Sequence, residues 1–376
     1  MDKNSSSILV AGDLVINQEY DVSKLDKKLV SLFQKSDLNI VNLEAPVTAS
    51  NSKILKTGPY LKAHEESTKK ILKALNVDIV TLANNHVLDY DEKGVDDTLD
   101  FCRKNKIKTV GAGMNLEEAA KTLYVDTKEG KIALVNFAEN EWASATDKTA
   151  GANPMDVIDN AKQIQNAREQ ADYVIVIIHG GHEYYNLPSP RMQKQYRFYA
   201  EQGADIIIGH HTHCISGKVV YKGVPIYYSL GNFLFTNPSS FEDWYIGIVL
   251  ELTIINGKLE VQLHPVKQTK EYFQISLLEG EEKQNVYNRI FKFDTVIEDS
   301  IKLNNEWKAY VDSKYRQYLN YWSPISFVNN RLLKSVLIKL GVSLINKKGI
   351  ALKLNMLRCE AHKDMSKEFT LKYLKK

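Results

Sequence analysis

Residues able to bind a cation recur just beyond the carboxyl ends of five short apolar runs. Asp13 follows Ile8–Gly12. Asn42 and Glu44 flank the end of Leu38–Leu43, and Asn84-Asn85-His86 follows Asp78–Ala83. His179, His182 and Glu183 follow Tyr173–Ile178, and His210-His211-Thr212-His213 follows Asp205–Gly209. Six of the nine histidines fall in these loops, so the pattern concerns the set rather than any one residue. Carboxylate oxygens, an amide oxygen and neutral imidazoles form the mixed donor set that zinc, manganese or iron accepts, whereas magnesium draws on fewer histidines. Histidines spaced i, i+2 on a loop can face different ions while a carboxylate bridges both, as in two-metal hydrolytic sites with ions about 3.5–4 Å apart. Such a centre activates water and polarises a phosphoryl or carbonyl oxygen, so the chemistry indicated is hydrolysis.

The elements that must carry these residues read as α/β. Besides the five runs named, Ile107–Val110 and Ile132–Asn136 are β-branched and strand-like. Amphipathic patterns near 24–36, 65–76, 92–105, 156–171 and 190–202 alternate with the strands, which argues for βαβ units and a largely parallel sheet. In open α/β sheets ligands gather at the carboxyl ends of the strands, where the candidate donors lie. Beyond Gly209 the pattern becomes strands joined by tight turns: 218–221, a Lys222-Gly223 turn, 226–229, 246–255, an Asn256-Gly257 hairpin and 259–264. From about Tyr272 aromatic and charged residues recur at helical spacing. We therefore expect a domain over 1–270 and a helical region over 271–376, basic from 331.

The runs Ile8-Leu-Val-Ala-Gly-Asp13, Asn42-Leu-Glu44-Ala-Pro46, Leu82-Ala-Asn-Asn-His86, His179-Gly-Gly-His-Glu183, Gly203-Ala-Asp205, Gly209-His-His-Thr-His213 and Tyr228-Ser-Leu-Gly-Asn-Phe233 occur in order over residues 6–250. Together they resemble the bacterial capsule-synthesis CapA (poly-γ-glutamate biosynthesis, PGA_cap) family of the calcineurin-like metallophosphatase superfamily. The resemblance implies a four-layer α/β/β/α sandwich and a part in capsule or exopolymer assembly. It implies Asp13 and His213 at one metal, Glu44 bridging, and Asn85, His179 and His211 at a second. His86 then matches the residue that stabilises the transition state or protonates the leaving group. Metallophosphatases carry a histidine two residues after the first Asp, where this chain has Val15, so the first site is short of a ligand.

Glu183 reads as a base or as a group orienting a ligand, and His182, His210 and Asn232 as substrate-binding or ligand-supporting residues. His182, His210 and Asn232 can equally be ordinary polar loop residues. Cys214 beside His213 reads as a small buried hydrophobe. His64, His264 and His362 lie outside the loops and read as structural. No Gly-x-Gly-x-x-Gly or Walker motif follows the first strand, which argues against nucleotide-cofactor chemistry.

The 376 residues are 44% hydrophobic and 25% charged, the composition of a globular protein, with net charge +3. So balanced a total argues against nucleic acid as a partner. The balance is uneven: residues 331–376 hold 12 Lys and Arg against 3 Asp and Glu, or +9, leaving −6 for residues 1–330. Leu332, Leu333, Val336, Leu337 and Leu340 alternate with Arg331, Lys334 and Lys339, a basic amphipathic pattern suited to peripheral membrane contact or to packing on the main domain. Three scattered cysteines and a first apolar run too short for a signal peptide point to a cytoplasmic protein. The readings are a metal-dependent hydrolase acting on a phosphoester or amide bond in a surface-polymer precursor or product, a non-catalytic factor organising polymer synthesis machinery, and a small-molecule phosphoesterase or nucleotidase. One or two ions of manganese, zinc or iron serve the first.

Overall fold

The computed structural model describes residues 5–328, 330–340 and 346–374. The strands are β1 (Ser5–Val15), β2 (Leu38–Leu43), β3 (Ile79–Thr81), β4 (Lys108–Val110), β5 (Ala112–Gly113), β6 (Leu123–Thr127), β7 (Gly130–Ala138), β8 (Gly151–Ala152), β9 (Tyr173–His179), β10 (Ile206–His210), β11 (Lys218–Tyr221), β12 (Val224–Tyr227), β13 (Asn232–Phe235), β14 (Ile246–Ile255), β15 (Lys258–Gln268) and β16 (Ile275–Leu277). The helices are α1 (Lys27–Lys35), α2 (Glu65–Ala74), α3 (Asp91–Lys104), α4 (Leu116–Ala119), α5 (Val157–Gln170), α6 (Pro190–Glu201), α7 (Gly280–Glu298), α8 (Ser300–Trp322), α9 (Arg331–Lys339), α10 (Lys347–Arg358) and α11 (Glu360–Leu374).

Two sheets stack. One runs β16-β15-β14-β1-β2-β3-β4 with β13 also on β1; the other runs β11-β12-β10-β9-β7-β6. Side chains alternate across a strand, so each central strand presents two apolar faces. Ile8, Val10, Ile40 and Ile79 of the first sheet meet Ile132, Leu134, Ile175, Ile177 and Ile208 of the second. The interleaved Leu9, Val41 and Val80 pack on Phe33, Ile71 and Val95 of the flanking helices. Val135, Val176 and Ile207 pack on Ile164, Met192 and Tyr196 of α5 and α6. The result is the α/β/β/α sandwich. Near the site the sheets are stitched by buried Asn136 of β7, whose Oδ1 accepts from Ala83 N–H at 2.9 Å and whose Nδ2 donates to Ile177 O at 3.0 Å.

The structure differs from the sequence expectation in several elements, among them the unexpected strands β6 and β13. β1 continues past Gly12 to Val15 because β13 pairs in parallel with its end, Asp13 opposite Asn232. A Cβ on Gly12 would collide with the Gly231 carbonyl, so glycine permits that approach. Ile275–Leu277, expected to be helical, is strand β16 on the edge of the first sheet. The first compact unit runs to Asn304. Beyond β16, Val286 and Ile290 of α7 join the inter-sheet core, and Lys218 N–H donates to Asp294 Oδ1 at 2.6 Å.

The second unit, Asn305–Lys376, holds the remainder of α8, a 3-10 turn over Pro324–Phe327, and α9 to α11. Residues 341–345, 375 and 376 of the basic tail lie outside the described residues. No helix among the described residues is long and apolar enough to cross a membrane.

Gly209 sits where β10 delivers the histidine loop, and an added Cβ there would collide with the Tyr228 carbonyl. Gly209→Ala is expected to destabilise more than the neighbouring core truncation Ile208→Val, which costs about 0.5–1.5 kcal/mol. Urea denaturation of the two variants checks this; equal midpoints would contradict the packing described.

Candidate metal centre

The carboxyl ends of β1 and β2 in one sheet meet those of β9 and β10 in the other, and the donors converge there. Asp13 and Glu44 are fully buried. Asp13 Oδ1 accepts from Asn42 Nδ2 at 2.6 Å, and Oδ2 accepts from His211 N–H at 3.3 Å. Neither carboxylate oxygen of Glu44 has a hydrogen-bond partner among the described residues. Its Oε1 lies 3.5 Å from His179 Nε2 and 3.8 Å from His213 Nε2. A carboxylate removed from water and left unpaired is costly, so its surroundings are built for a cation or a proton.

Two groups of donors share Glu44. Glu44, His179 and His211 form one, and Asp13, Glu44 and His213 the other, with ligand atoms in each within 4.8 Å of one another. In the first group His179 Nε2 is 3.0 Å from Asn85 Oδ1 and 3.1 Å from His211 Nδ1. An amide oxygen, a carboxylate oxygen and two imidazole nitrogens thus point their electron pairs at one place. Among the described residues these clusters are compatible with a divalent metal.

Electrostatics agree with that geometry. Burial lowers His179 to about 3, and burial with neighbouring imidazoles pushes His211 well below its ordinary value, so both are neutral with free lone pairs. Burial, reinforced by the charge of Asp13, raises Glu44 to about 8. Burial works against the charge on His213, but Glu44 and Asp13 outweigh it and raise the imidazole to about 10. Burial likewise works against Asp13, yet the hydrogen bond from His213 and the nearby imidazoles hold it below the usual carboxylate range.

The histidine loop is held under strain. His211 and His213 have φ of 91° and 56°, a region that costs a non-glycine residue on the order of 1–3 kcal/mol. The Thr212 hydroxyl between them bridges the Cys214 carbonyl and the Ser229 hydroxyl, each at 2.9 Å. Asn232 Oδ1 lies 2.9 Å from His213 Nδ1, and its Nδ2 donates to Trp244 O at 3.0 Å, which orients the imidazole.

His86 is buried outside both groups, with Nδ1 2.7 Å from Asp89 Oδ2 and 3.3 Å from Lys56 Nζ. Lys56 and Asp89 form a buried ion pair. Glu183 is exposed; burial raises Glu141, with the charge of Glu183 adding to it, and the same charge adds in small part to the rise of Glu44. His182 stands by Glu139 and Arg191, away from the two groups. His210 is buried with neither ring nitrogen hydrogen-bonded, Nδ1 3.5 Å from Asp13 Oδ1. Val15 is fully buried in the core. Cys214 is also buried, its thiol pushed by burial up to about 12, and belongs to neither group.

Three neighbours of the centre went unread in the sequence. Glu141, with Oε1 3.7 Å from His211 Nε2, lies three residues beyond β7, another strand whose carboxyl end reaches the site. Asp89 stands three residues after His86. Lys56 comes from the long loop between β2 and α2, which no local pattern ties to His86.

The chain is a four-layer α/β/β/α sandwich in which two buried donor groups share one carboxylate. The family model "Bacterial capsule synthesis protein PGA_cap" matches residues 7–237, and the chain belongs to that family. It is similar to "PGA biosynthesis protein CapA" of Bacillus subtilis (strain 168), 38% identical over 208 residues covering 54% of each chain. It is also similar to "Capsule biosynthesis protein CapA" of Bacillus anthracis, 33% identical over 230 residues covering 59% of this chain and 56% of that one. The chain thus spans about half the length of these relatives. A solved structure described as a novel phosphatase from Mycoplasma pneumoniae matches with TM-score 0.46 and 14% identity over 76% of this chain and 99% of that one.

His211→Ala removes a donor from one group only, and His213→Ala from the other only. Each is expected to lower tightly held divalent metal by about one equivalent at most, while Glu44→Gln disturbs both groups. Elemental analysis after dialysis measures this. Metal content unchanged in all three variants would exclude these residues as ligands.

Proposed function

We propose that the protein is a metal-dependent hydrolase of capsule or exopolymer biosynthesis, acting on a phosphoester or amide bond in a surface-polymer precursor or product such as poly-γ-glutamate. The observation that carries this reading is Glu44: a fully buried carboxylate without a hydrogen-bond partner, common to two donor groups. In this reading Asp13, Glu44 and His213 hold one ion of manganese, zinc or iron, and Glu44, Asn85, His179 and His211 hold another. Bound metal would supply an activated water and a polarised substrate oxygen. His86, its Nδ1 held by Asp89, keeps Nε2 for proton transfer to the leaving group, and Lys56 fixes Asp89 in place. Glu183 at the exposed edge serves as a base or orients substrate.

Family membership and the named relatives favour work beside polymer synthesis machinery, and a peripheral membrane contact through 331–376 would put the protein where surface polymer is assembled. Val15 favours a second reading, a non-catalytic assembly factor that keeps the fold and one metal, because it leaves the Asp13 group without the histidine that the resemblance to metallophosphatases implies at that position.

A screen over phosphomonoesters, phosphodiesters and γ-glutamyl peptides with metal-loaded protein separates the two. The hydrolase reading expects turnover that His86→Ala lowers by on the order of 10²–10⁴-fold with metal content retained. Tight metal with no turnover in any class supports the assembly factor, and turnover unaffected by His86→Ala removes that residue from the mechanism.

A further inference from the structure

The second unit contains a segment of one charge sign. From Arg331 to Arg358 there are seven lysines and arginines and no aspartate or glutamate. Neither α9 nor α10, which occupy this stretch, has a single buried residue. On α9, Leu332, Leu333, Val336 and Leu340 follow one another at i, i+1, i+4 and i+8 and are 50–80% exposed. On α10, Leu354 and Leu357 lie a turn apart and are also exposed. Lys339 closes α9, Lys347 and Lys348 open α10, and Arg358 ends it.

We propose that α9 and α10 form a docking surface for an anionic lipid bilayer, with the leucines entering the headgroup boundary and the lysines and arginines meeting lipid phosphates. Helices of 9 and 12 residues are too short to span about 30 Å of hydrocarbon but suit the interfacial plane. Other occupants satisfy only half of the surface. A second copy of the same face would bring seven like charges against seven with no acid to pair them. A soluble polyanion would neutralise the lysines and leave the leucines in water. The proposal leaves out α11, whose sequence carries three acids, Glu360, Asp364 and Glu368, beside Lys363, Lys367 and Lys372.

The docking rests on reading 331–376 as a peripheral contact, and lipid binding is measured apart from hydrolysis, so either reading can fail alone. The test is flotation of the full chain with phosphatidylcholine vesicles containing about 30 mol % phosphatidylglycerol, beside phosphatidylcholine alone. Binding is expected only to the charged vesicles, and it should fall sharply as salt rises from about 0.1 to 1 M. K347E/K348E and L332D/L357D should each reduce partitioning on the order of tenfold or more. Both pairs are exposed, so far-UV circular dichroism and metal content stay unchanged. Equal binding to neutral vesicles, or wild-type binding by K347E/K348E, overturns the proposal. So does a concentration-dependent dimer that L332D/L357D disperses without any vesicle binding, or salt-sensitive capture of soluble polyglutamate with no flotation.

Discussion

Two carboxylates buried within reach of one another, Asp13 and Glu44, set the terms for the rest of the α/β unit. Bringing one ionised carboxylate out of water is expensive, and a second beside it adds repulsion. Asp13 escapes by accepting bonds from the Asn42 amide and the His211 backbone. Glu44 has no such escape, so its charge is met either by a proton or by a cation. With protons alone, Glu44 rises to about 8 and His213 to about 10, while His179 and His211 stay neutral. A divalent ion answers the same imbalance by using all of these groups as donors. The polar interior is therefore organised around positive charge, supplied by protons or by a cation.

Holding that arrangement requires both sheets. Asp13 and Glu44 come from β1 and β2, and His179 and the histidine loop from β9 and β10, so the centre forms only when the inter-sheet layer of isoleucines and leucines is packed. Rigid strand ends give the precision that free loops would not. Where a loop is unavoidable, at 210–214, positive φ at two histidines and a hydroxyl bridge at Thr212 replace sheet pairing. The Asn136 stitch between Ala83 and Ile177 ties the segment bearing Asn85 and His86 to the strand ending in His179.

The legible part of this in the sequence was the part with a local signature. β-branched runs end in polar residues, and the direction of parallel strands places those ends together; hence the proximity of Asp13, Glu44, Asn85, His179, His211 and His213 is legible from their positions at strand ends. Asn232 followed a Gly-Asn turn and does orient an imidazole. Illegible were features set by distant contacts. Parallel pairing of β13 with β1 has no sequence period, so the extension of β1 to Val15 could not be read. Lys56 reaches His86 from a loop without pattern, and Glu141 lies beyond a strand that seemed to end at Asn136. Nor is the packing of α7 on the inter-sheet layer legible, because an amphipathic helix does not announce which neighbour its apolar side will meet.

The two donor groups differ in kind. Around His179 a carboxylate, an amide and a second neutral imidazole converge, whereas His213 is joined by the carboxylates of Asp13 and Glu44 and by the Asn232 amide oxygen, 2.9 Å from its Nδ1. Val15 fills core space beyond Asp13 and brings no donor atom, while buried His210 places Nδ1 3.5 Å from Asp13 Oδ1. Because Glu44 belongs to both groups, charge it lends to one is withdrawn from the other. The hydrolase and assembly readings share the fold, and they divide at the Asp13 side of the centre.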